Sequence, residues 1–365
     1  MHADLVALLR CPGCRGTLTL KAFHRDAFDR ISQGLLSSDC GLDFAISDGV
    51  PRLVLDPDRR LPPEFVRTYP EFASMQPEET RVKDSTAHVA DAQWNLYEFS
   101  RFDWGTLDLD TRVKYFSRYV GQPLEELRGR WVVDAGCGSG TLSAALAASG
   151  LLVIAFDYSD IVVRAEQHRR EFAKDGVVHY VMADVLHPPL APGFFDLVYS
   201  DGVIHLTPDP HEAFVRLAAL VKPEGRLVVT VSRKDKKGIY RLHHTAVEAI
   251  RAVMVRLPLA FGRAMSFVAA AALTAGERIS RGLRGNPDAT REIAVSQRAF
   301  GLWHSFLQPH LHYMEGAQLR GWFQSEGFLQ VRDCTIPALS ATGCATTGLL
   351  APALQSQHSP RPPGE

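Results

Sequence analysis

Three alternating glycines and a set of aspartates carry the clearest chemical signal in the sequence. The glycines stand at 136, 138 and 140 in VVDAGCGSG, directly after an apolar run that ends in Asp134. Glycine lets the backbone turn sharply and admits a ligand against the main chain. Asp157 follows Asp134 by 23 residues, where a carboxylate can accept hydrogen bonds from both hydroxyls of a ribose. Asp184 and Asp201 end two further apolar runs. Any one acid could cap a helix or a turn, but the whole set favours a nucleoside site.

The spacing of the glycines indicates which nucleoside fits. A dinucleotide loop reads GxGxxG and offers a helix N-terminus to a pyrophosphate. Here the spacing is GxGxG, and an acid stands two residues before it, where it would repel phosphate. This loop suits a ligand with a cationic, amino-acid-like end, such as S-adenosylmethionine, and disfavours a nicotinamide dehydrogenase.

The elements that position these residues alternate between strand and helix patterns. Apolar runs in WVVDAG, LLVIAFDYS, VVHYVMAD, FDLVYSDG and GRLVVTVS predict strands, and the segments between them predict helices. Strands that alternate with helices indicate an α/β fold with a doubly wound, mostly parallel sheet. In such a sheet the ligand lies beyond the carboxyl ends of the strands, where all the acids stand.

Residues 120–235, and more weakly 315–332, resemble the class I S-adenosylmethionine-dependent methyltransferases. VVDAGCGSG resembles their motif I, FDYS their ribose-binding strand end and MADV their adenine contact. The resemblance implies a seven-stranded Rossmann-like sheet and S-adenosyl-L-methionine as cofactor. It assigns contacts with the methionine part to Asp134, Gly136, Cys137, Gly138 and Gly140, and contacts with the ribose to Asp157 and Tyr158. It assigns the adenine contacts to Asp184 and Val185, and the floor of the cofactor site to Ser200 and Asp201.

Two further residues are candidates for roles beside the cofactor. DAQWNLYEFSRF resembles a segment of small-molecule methyltransferases, so Trp94 either closes over the cofactor or is an ordinary core aromatic. His205 follows the fourth strand and is the candidate catalytic base, because imidazole titrates near neutrality. Alternatively, His205 packs under a helix and orients the loop. An acceptor pocket could include His243, His244, His304, His310 and His312.

The cysteines at the N-terminus suggest a metal site. CPGC and the sequence around Cys40 resemble a small zinc-ribbon segment found ahead of some methyltransferases. A structural zinc site needs four ligands, and Cys11, Cys14 and Cys40 supply three. The expected fourth position holds Ser37. Asp39 or His24 could replace it, or the unit folds without metal.

The chain divides into four predicted regions. Residues 1–56 form a β-rich ribbon-like unit, the proline-rich stretch 57–83 is a linker, and 336–365 is a disordered tail. The main domain spans 84–335, with a helical insertion at 233–299. Residues 226–298 contain 14 Lys/Arg and 5 Asp/Glu. They form either a solvated basic face or a lid that favours an anionic substrate or a membrane surface. We expect the apolar stretch 259–275 to be a packed or interfacial helix, not a stable membrane insertion.

Composition narrows the function. The 365 residues are 46% hydrophobic and carry a formal net charge of −1, so no global charge indicates a nucleic-acid partner. The few scattered cysteines suit a reducing cytoplasm, and we expect no signal peptide, because the first residues lack a basic region followed by a long apolar stretch. We therefore expect a cytoplasmic enzyme that methylates a small-molecule acceptor. An RNA methyltransferase and a non-catalytic scaffold that keeps the cofactor fold are the alternatives.

Overall fold

The computed structural model describes residues 1–75, 85–95, 102–104, 107–172, 176–232, 234, 239–283, 295–334 and 343–350. The strands in these ranges are β1 Leu18–Arg25, β2 Ile31–Ser38, β3 Asp43–Ser47, β4 Val50–Leu53, β5 Phe102–Trp104, β6 Leu107–Asp108, β7 Trp131–Ala135, β8 Leu152–Asp157, β9 Val177–Ala183, β10 Phe195–Asp201, β11 Val221–Ser232, β12 Phe328–Cys334 and β13 Gly343–Leu350. The helices are α1 Pro57–Arg60, α2 Pro63–Thr68, α3 Ser85–Trp94, α4 Leu109–Val120, α5 Thr141–Ala148, α6 Ile161–Phe172, α7 Pro210–Ala218, α8 Ile239–Met254, α9 Leu259–Leu283, α10 Val295–Leu307 and α11 Gly316–Ser325.

Seven strands form the predicted doubly wound sheet, in the order β9-β8-β7-β10-β11-β13-β12. The pairs from β9 to β11 are parallel, and β13 runs antiparallel between β11 and β12. The central strands β7 and β8 are almost wholly buried, which is why their sequences are continuous apolar runs. The order reverses next to β7, so the crevice for a ligand lies at the carboxyl ends of β7, β8 and β10.

The N-terminal strands extend this sheet. Strands β1 to β4 form an antiparallel meander, and the turn between β3 and β4 has positive φ at Asp48 and Gly49, as a type I′ hairpin requires. Strand β4 then pairs in parallel with β9 through Arg52 and Leu53. The predicted β-rich unit is therefore present, but it shares one eleven-stranded sheet with the main domain.

The stretch predicted as a linker, 57–83, is helical where the structure describes it. Its helices α1 and α2 are followed by a 3-10 turn, Pro70–Met75. Leu61, Phe65 and Phe72 pack against Leu35 and Ala45 of the N-terminal strands. The prolines stand at or just before the starts of these short helices, where proline is tolerated, so a high proline content was a poor sign of a linker. Residues 76–83 lie outside the described residues.

The prediction of a disordered tail over 336–365 is wrong for residues 343–350. These residues form β13, which pairs with both β11 and β12, and Thr346 and Thr347 are fully buried. The sequence GCATTGLL is small and weakly apolar, which concealed a strand that has neighbours on both sides. The rest of the predicted tail lies outside the described residues.

The predicted insertion contains α8 and α9, and α10 continues past its expected end at 299. Both α8 and α9 pack against α10, and α10 also contacts α3. In this way the insertion and α3, the first helix of the predicted main domain, are joined near the carboxyl end of the sheet.

Candidate functional site

The glycine loop joins β7 to α5 in a backbone that other residues would strain. Gly136, Gly138 and Gly140 all have positive φ, a region that costs other L-residues about 1–2 kcal/mol. Space is limiting as well. A Cβ on Gly138 would lie 2.5 Å from the indole of Trp94, and one on Gly140 would lie 2.4 Å from the ring of Tyr180. The loop therefore has no room for side chains at Gly138 and Gly140.

Asp157 ends β8 and reaches the glycine loop. Its Oδ2 accepts the Gly138 N–H at 2.9 Å, and its Oδ1 accepts the Ser159 N–H at 2.9 Å and the Ser159 hydroxyl at 2.5 Å. A carboxylate offers about four acceptor positions, so three are occupied by the chain itself. Burial raises the pKa of Asp157. The two residues predicted to face a nucleoside, Gly138 and Asp157, are brought together and fix each other's orientation.

Asp134, near the end of β7, and Cys137 in the loop flank the first glycine. Asp134 is 4% exposed, and its Oδ2 accepts the Ser143 hydroxyl of α5 at 2.5 Å. Burial raises the pKa of the Cys137 thiol well above its ordinary value, which favours its neutral form. Asp134 places a carboxyl beneath the first turn of α5.

Tyr158, Asp184 and Val185 stand at neighbouring strand ends on the same edge. Arg59 donates to the Tyr158 carbonyl at 2.6 Å and lies over its ring. Asp184 accepts the N–H of Leu186 at 2.9 Å, so it stabilises its own turn, and Val185 is buried. Asp184 thus has the alternative role considered for these acids, that of a turn residue. Its side chain remains partly exposed.

The end of β10 carries a hydrogen-bond network that the sequence revealed only in part. Ser200 is fully buried and donates to the carbonyl of Ala135 at 3.0 Å, so it joins two strands. Asp201 Oδ2 accepts the Tyr199 hydroxyl at 3.0 Å and lies 3.3 Å from Arg112 Nη2, while its Oδ1 accepts the Thr230 hydroxyl. Asp201 is therefore held from α4 and from two strands.

Helices α3 and α10 form a cap over the glycine loop. Trp94, the last residue of α3, stands over Gly138 and contacts Phe300 of α10 with ring centroids 5.1 Å apart. Arg164 donates to the Trp94 carbonyl at 3.0 Å. Gln308 donates to Gln93 at 2.7 Å in a buried pair. Trp94 is thus an aromatic packed between the glycine loop and α10, and its closing over a cofactor stays a prediction.

Asp91 links helix α3 of the cap to the residues that follow β8. It accepts the N–H of Asp160 at 2.7 Å and the Arg59 guanidinium at 2.6 Å. Because Asp160 follows Asp157 directly after the turn, α3 is anchored at the strand end that carries the proposed ribose contact.

His205 lies in a 3-10 turn, Ile204–Leu206, directly after β10. The residue is 3% exposed, and its carbonyl accepts the N–H of His312 at 2.8 Å. The rings of His310 and His312 lie nearly parallel, 6.5 Å apart. Part of the predicted histidine set therefore gathers at one edge. The side chains of His243, His244 and His304 lie outside the described residues.

A separate cluster of thiols lies in the N-terminal unit. The Sγ atoms of Cys11, Cys14 and Cys40 lie within 4.8 Å of one another, and those of Cys11 and Cys40 are 3.7 Å apart. Ser38 Oγ completes the group, 3.2 Å from Cys14 Sγ and 3.3 Å from Cys40 Sγ. The fourth corner is thus Ser38, next to the Ser37 expected there. Among the described residues, neither Asp39 nor His24 joins the cluster.

This donor set fits a zinc ion. Tetrahedral zinc binds thiolates at about 2.3 Å, which separates the sulfurs by about 3.8 Å; the 3.7 Å separation agrees. The ligands must be thiolates, and a hydrogen bond from Ser38 lowers the pKa of Cys14 to about 7. Burial raises the pKa of Cys11, so the ion would have to supply the charge that holds this sulfur deprotonated.

Residues 133–229 match the family described as "Methyltransferase domain", and residues 2–49 match the family described as "Trm112p-like protein". The first range contains the glycine loop, Asp157 and Asp201, and the second contains all three clustered cysteines. Residues 133–229 are thus similar in sequence to a methyltransferase domain.

Curated relatives match over the same part of the chain. A ubiquinone biosynthesis O-methyltransferase of Coxiella burnetii is 30% identical over 132 residues, which are 36% of this chain and 54% of the relative. A demethylmenaquinone methyltransferase of Clavibacter sepedonicus is 37% identical over 101 residues, 28% of this chain and 40% of the relative. The chain thus spans about half the length of the curated relatives it matches.

Solved structures give looser likenesses. A magnesium protoporphyrin IX methyltransferase from Synechocystis PCC 6803 with bound SAH is 16% identical, covers 78% of this chain and 94% of its own, and has a TM-score of 0.42. A chain from a complex that contains the Haloferax volcanii Trm112 methyltransferase activator is also 16% identical, covers 66% and 89%, and has a TM-score of 0.42. Likenesses at this level say nothing about the site.

Arg112 and Thr230, which both bind Asp201, were not predicted as site residues. Arg112 belongs to a helix that precedes the glycine loop, and Thr230 is one polar residue in an apolar strand. Neither has a sequence motif. The position of Thr230 at the carboxyl end of a predicted strand was the one available signal.

Proposed function

We propose that the chain is an S-adenosyl-L-methionine-dependent methyltransferase that acts on a small-molecule acceptor. The observation that carries the proposal is the direct contact between Asp157 and the glycine loop at Gly138. It places a carboxylate and a backbone without side chains on one crevice at the switch point of the sheet. A carboxylate-lined loop favours a cationic sulfur nucleoside over a pyrophosphate.

The residues of this crevice fit the cofactor, and each has a proposed part. The backbone of Gly136 to Gly140 and the buried Asp134 hold the methionine part. Asp157 accepts hydrogen bonds from the ribose hydroxyls next to Tyr158. It uses its remaining acceptor position and gives up part of its bonding to the chain. Asp184 and Val185 flank the adenine, Asp201 and Ser200 form the floor, and Trp94 covers the loop.

The protein contributes positioning and the exclusion of water. When bound, S-adenosylmethionine supplies an electrophilic methyl group on a sulfonium. Trp94 and Phe300 close the crevice with apolar surface, and a dry, fixed geometry accounts for much of the acceleration in an in-line displacement. We propose His205 as the base, because it is buried at the end of β10. It is needed only when the acceptor carries a proton that it does not lose freely.

The acceptor is proposed to be a small biosynthetic intermediate or natural product. Relatives named for ubiquinone and demethylmenaquinone methylation support this class. The aromatic cap above the loop supports an acceptor with an apolar or aromatic body. Intermediates of quinone biosynthesis are accordingly the first acceptors to test.

Incubation with methyl-labelled S-adenosylmethionine and a host extract tests the proposal. We expect label to enter the small-molecule fraction, with mass analysis showing the gain of one methyl group. The Asp157→Ala variant serves as the negative control. Label that enters RNA, or no transfer at all, would contradict the proposal. If label enters RNA, the affinity of the protein for RNA should also fall steeply as the salt concentration rises.

We further propose that Cys11, Cys14 and Cys40, with Ser38 or a water as fourth ligand, hold a structural zinc. Its role would be structural because the cluster belongs to the N-terminal unit, away from the glycine loop. The free thiols Cys11, Cys14, Cys40 and Cys137 support a reducing, cytoplasmic location.

A further inference from the structure

Exposed large apolar side chains are concentrated in two helices of the insertion. Among the described residues, fourteen large hydrophobic side chains are exposed, and nine of them lie between residues 250 and 279. Scattered apolar residues on a surface are ordinary, but a contiguous set marks an interaction site. These nine are Ile250, Val253, Val255, Leu257, Phe261, Met265, Val268, Leu273 and Ile279.

Helix α9 has the reverse of the usual amphipathic pattern. The residues that it buries recur every four positions and are small or hydroxylated: Gly262, Ser266, Ala270 and Thr274. A Cβ on Gly262 would lie 2.7 Å from Leu307 of α10, which shows that this stripe faces α10. Phe261, Met265, Val268 and Ile279 lie on the opposite side and are 41–64% exposed. If α9 packed only against α10, its opposite side would face water and would carry polar residues.

Helix α8 and the turn after it continue the same surface. Val247, Glu248, Arg251 and Met254 are half-buried at helical spacing, and Arg251 donates to the Gln308 carbonyl at 3.3 Å, just beyond α10. Ile250 and Val253 point away from this contact and are 47% and 59% exposed. The two helices therefore present apolar side chains on the sides that face away from α10.

The charges on this surface are of one sign. Residues 239–283 contain six arginines and two glutamates. Glu248 is paired with Arg251 at 2.9 Å, and Glu277 is paired with Arg298. Arg256 and Arg263 are exposed among the apolar residues. Arginines beside Phe, Leu and Val on a helix are the composition of a segment that lies in the headgroup region of an anionic bilayer.

We propose that α8 and α9 dock the protein on the surface of an anionic phospholipid membrane. The apolar side chains enter the boundary between headgroups and acyl chains, and the arginines contact lipid phosphates.

The helix Leu259–Ile279 meets the length and composition of a membrane span, with a mean hydropathy of 1.4 in its most apolar window, of which 22% is buried. Its contact with α10 through Ser266 and Thr274, and the apolar residues of α8 beside it, favour a helix that lies on the membrane over one that crosses it.

Co-sedimentation with vesicles tests the docking on the full chain. We expect the protein to bind vesicles of equimolar phosphatidylcholine and phosphatidylglycerol, and to bind phosphatidylcholine vesicles much more weakly. The variant Phe261→Glu/Val268→Glu should lose binding about tenfold or more, since two anions would enter the interface. Arg263→Glu should weaken binding to the anionic vesicles only.

The matched control is Phe28→Glu/Leu329→Glu, which changes two side chains that are 62% and 54% exposed outside the insertion. It should bind as the unchanged protein does, and circular dichroism should show all variants folded. Three results would overturn the proposal: no binding to anionic vesicles, equal binding of both double variants, or a dimer in solution that Phe261→Glu/Val268→Glu dissociates. The last result would mean that a second copy of the chain covers this surface. None of these measurements depends on methyl transfer.

Discussion

Asp157 is the residue that joins the loop, the strand end and the proposed ligand. Its carboxylate already holds the N–H of Gly138 and both donors of Ser159. Burial raises its pKa, so the neutral form is populated at higher pH than for an exposed aspartate. Hydroxyl donors of a ribose are bound best by the anion. Cofactor binding should therefore weaken as the pH falls through the raised pKa of this group.

Gly138 allows a prediction that separates backbone strain from the contact with Trp94. Alanine at Gly138 should lower the free energy of unfolding by about 2–4 kcal/mol, because its positive φ costs about 1–2 kcal/mol and the Cβ also meets a rigid indole. Gly129 is the control, since it has φ +72° and no atom within 4 Å of its Cβ position. Gly129→Ala should cost about 1–2 kcal/mol. Urea titrations that gave equal losses would contradict the position of Trp94.

At the scale of elements, the cap of α3 and α10 is joined by a buried amide pair, Gln93 and Gln308. Leucine at either position leaves the other amide without this partner, so each single variant should lose about 1–3 kcal/mol of stability. The double variant should lose less than the sum, with a coupling energy of about 1 kcal/mol. Thermal unfolding measures the stabilities. Additive losses would show that the pair does not join the two helices.

The cysteine cluster gives a prediction for the N-terminal unit. The purified protein should contain about one zinc per chain, and a chelator should lower its melting temperature, since metal binding contributes to folding. Cys14→Ala should remove the zinc, whereas Cys137→Ala, outside the cluster, should keep it. Elemental analysis of both variants checks this. A metal-free wild-type protein that melts at the same temperature with and without chelator would contradict the site.

The sequence predicted those elements whose signal is local. The runs before Asp134 and Asp157 identified β7 and β8, and the spacing of the glycines identified the loop that joins β7 to α5. Strand β13 was missed because its burial comes from the strands on both sides of it, β11 and β12, and β11 is distant in sequence. Ser38 was missed for a related reason: the knuckle pattern points to position 37, while the strand geometry of β2 turns the next residue toward Cys14 and Cys40.

At the scale of the whole molecule, one sheet joins the two matched regions. The parallel pair of β4 and β9 is short, and Arg52 reinforces it with a bond to Ser47 at 2.8 Å and an ion pair with Asp160 at 3.4 Å. His2 meets the ring of His179 on β9 edge-on at 5.6 Å. We therefore expect the N-terminal unit and the rest of the eleven-stranded sheet to unfold together.

His179 makes this junction sensitive to acid. Burial, together with the nearby His2 and N-terminal amine, lowers its pKa to about 3. The unfolded chain binds a proton near pH 6.5 and the folded chain does not, so stability falls as the pH drops below about 6.5, by up to about 1.4 kcal/mol per pH unit. Between pH 7 and pH 5 the wild type should lose about 2 kcal/mol more than His179→Phe.

The control for this prediction is the exposed His24. His24→Gln should retain the wild-type loss of stability, measured by urea unfolding at both pH values. If His179→Phe lost as much stability as the wild type on acidification, His179 would not be the buried neutral group described above.

The central claim is that the crevice beside Gly138 and Asp157 binds a sulfur nucleoside, and calorimetric titration with S-adenosylhomocysteine tests it most directly. We predict one site per chain, weakened by about 1–3 kcal/mol in Asp157→Ala because hydrogen bonds to a charged group are lost. Binding should be unchanged in Asp29→Ala, whose exposed carboxylate lies in the N-terminal unit. Absence of binding to the wild-type protein, or equal binding by all three proteins, would contradict the account.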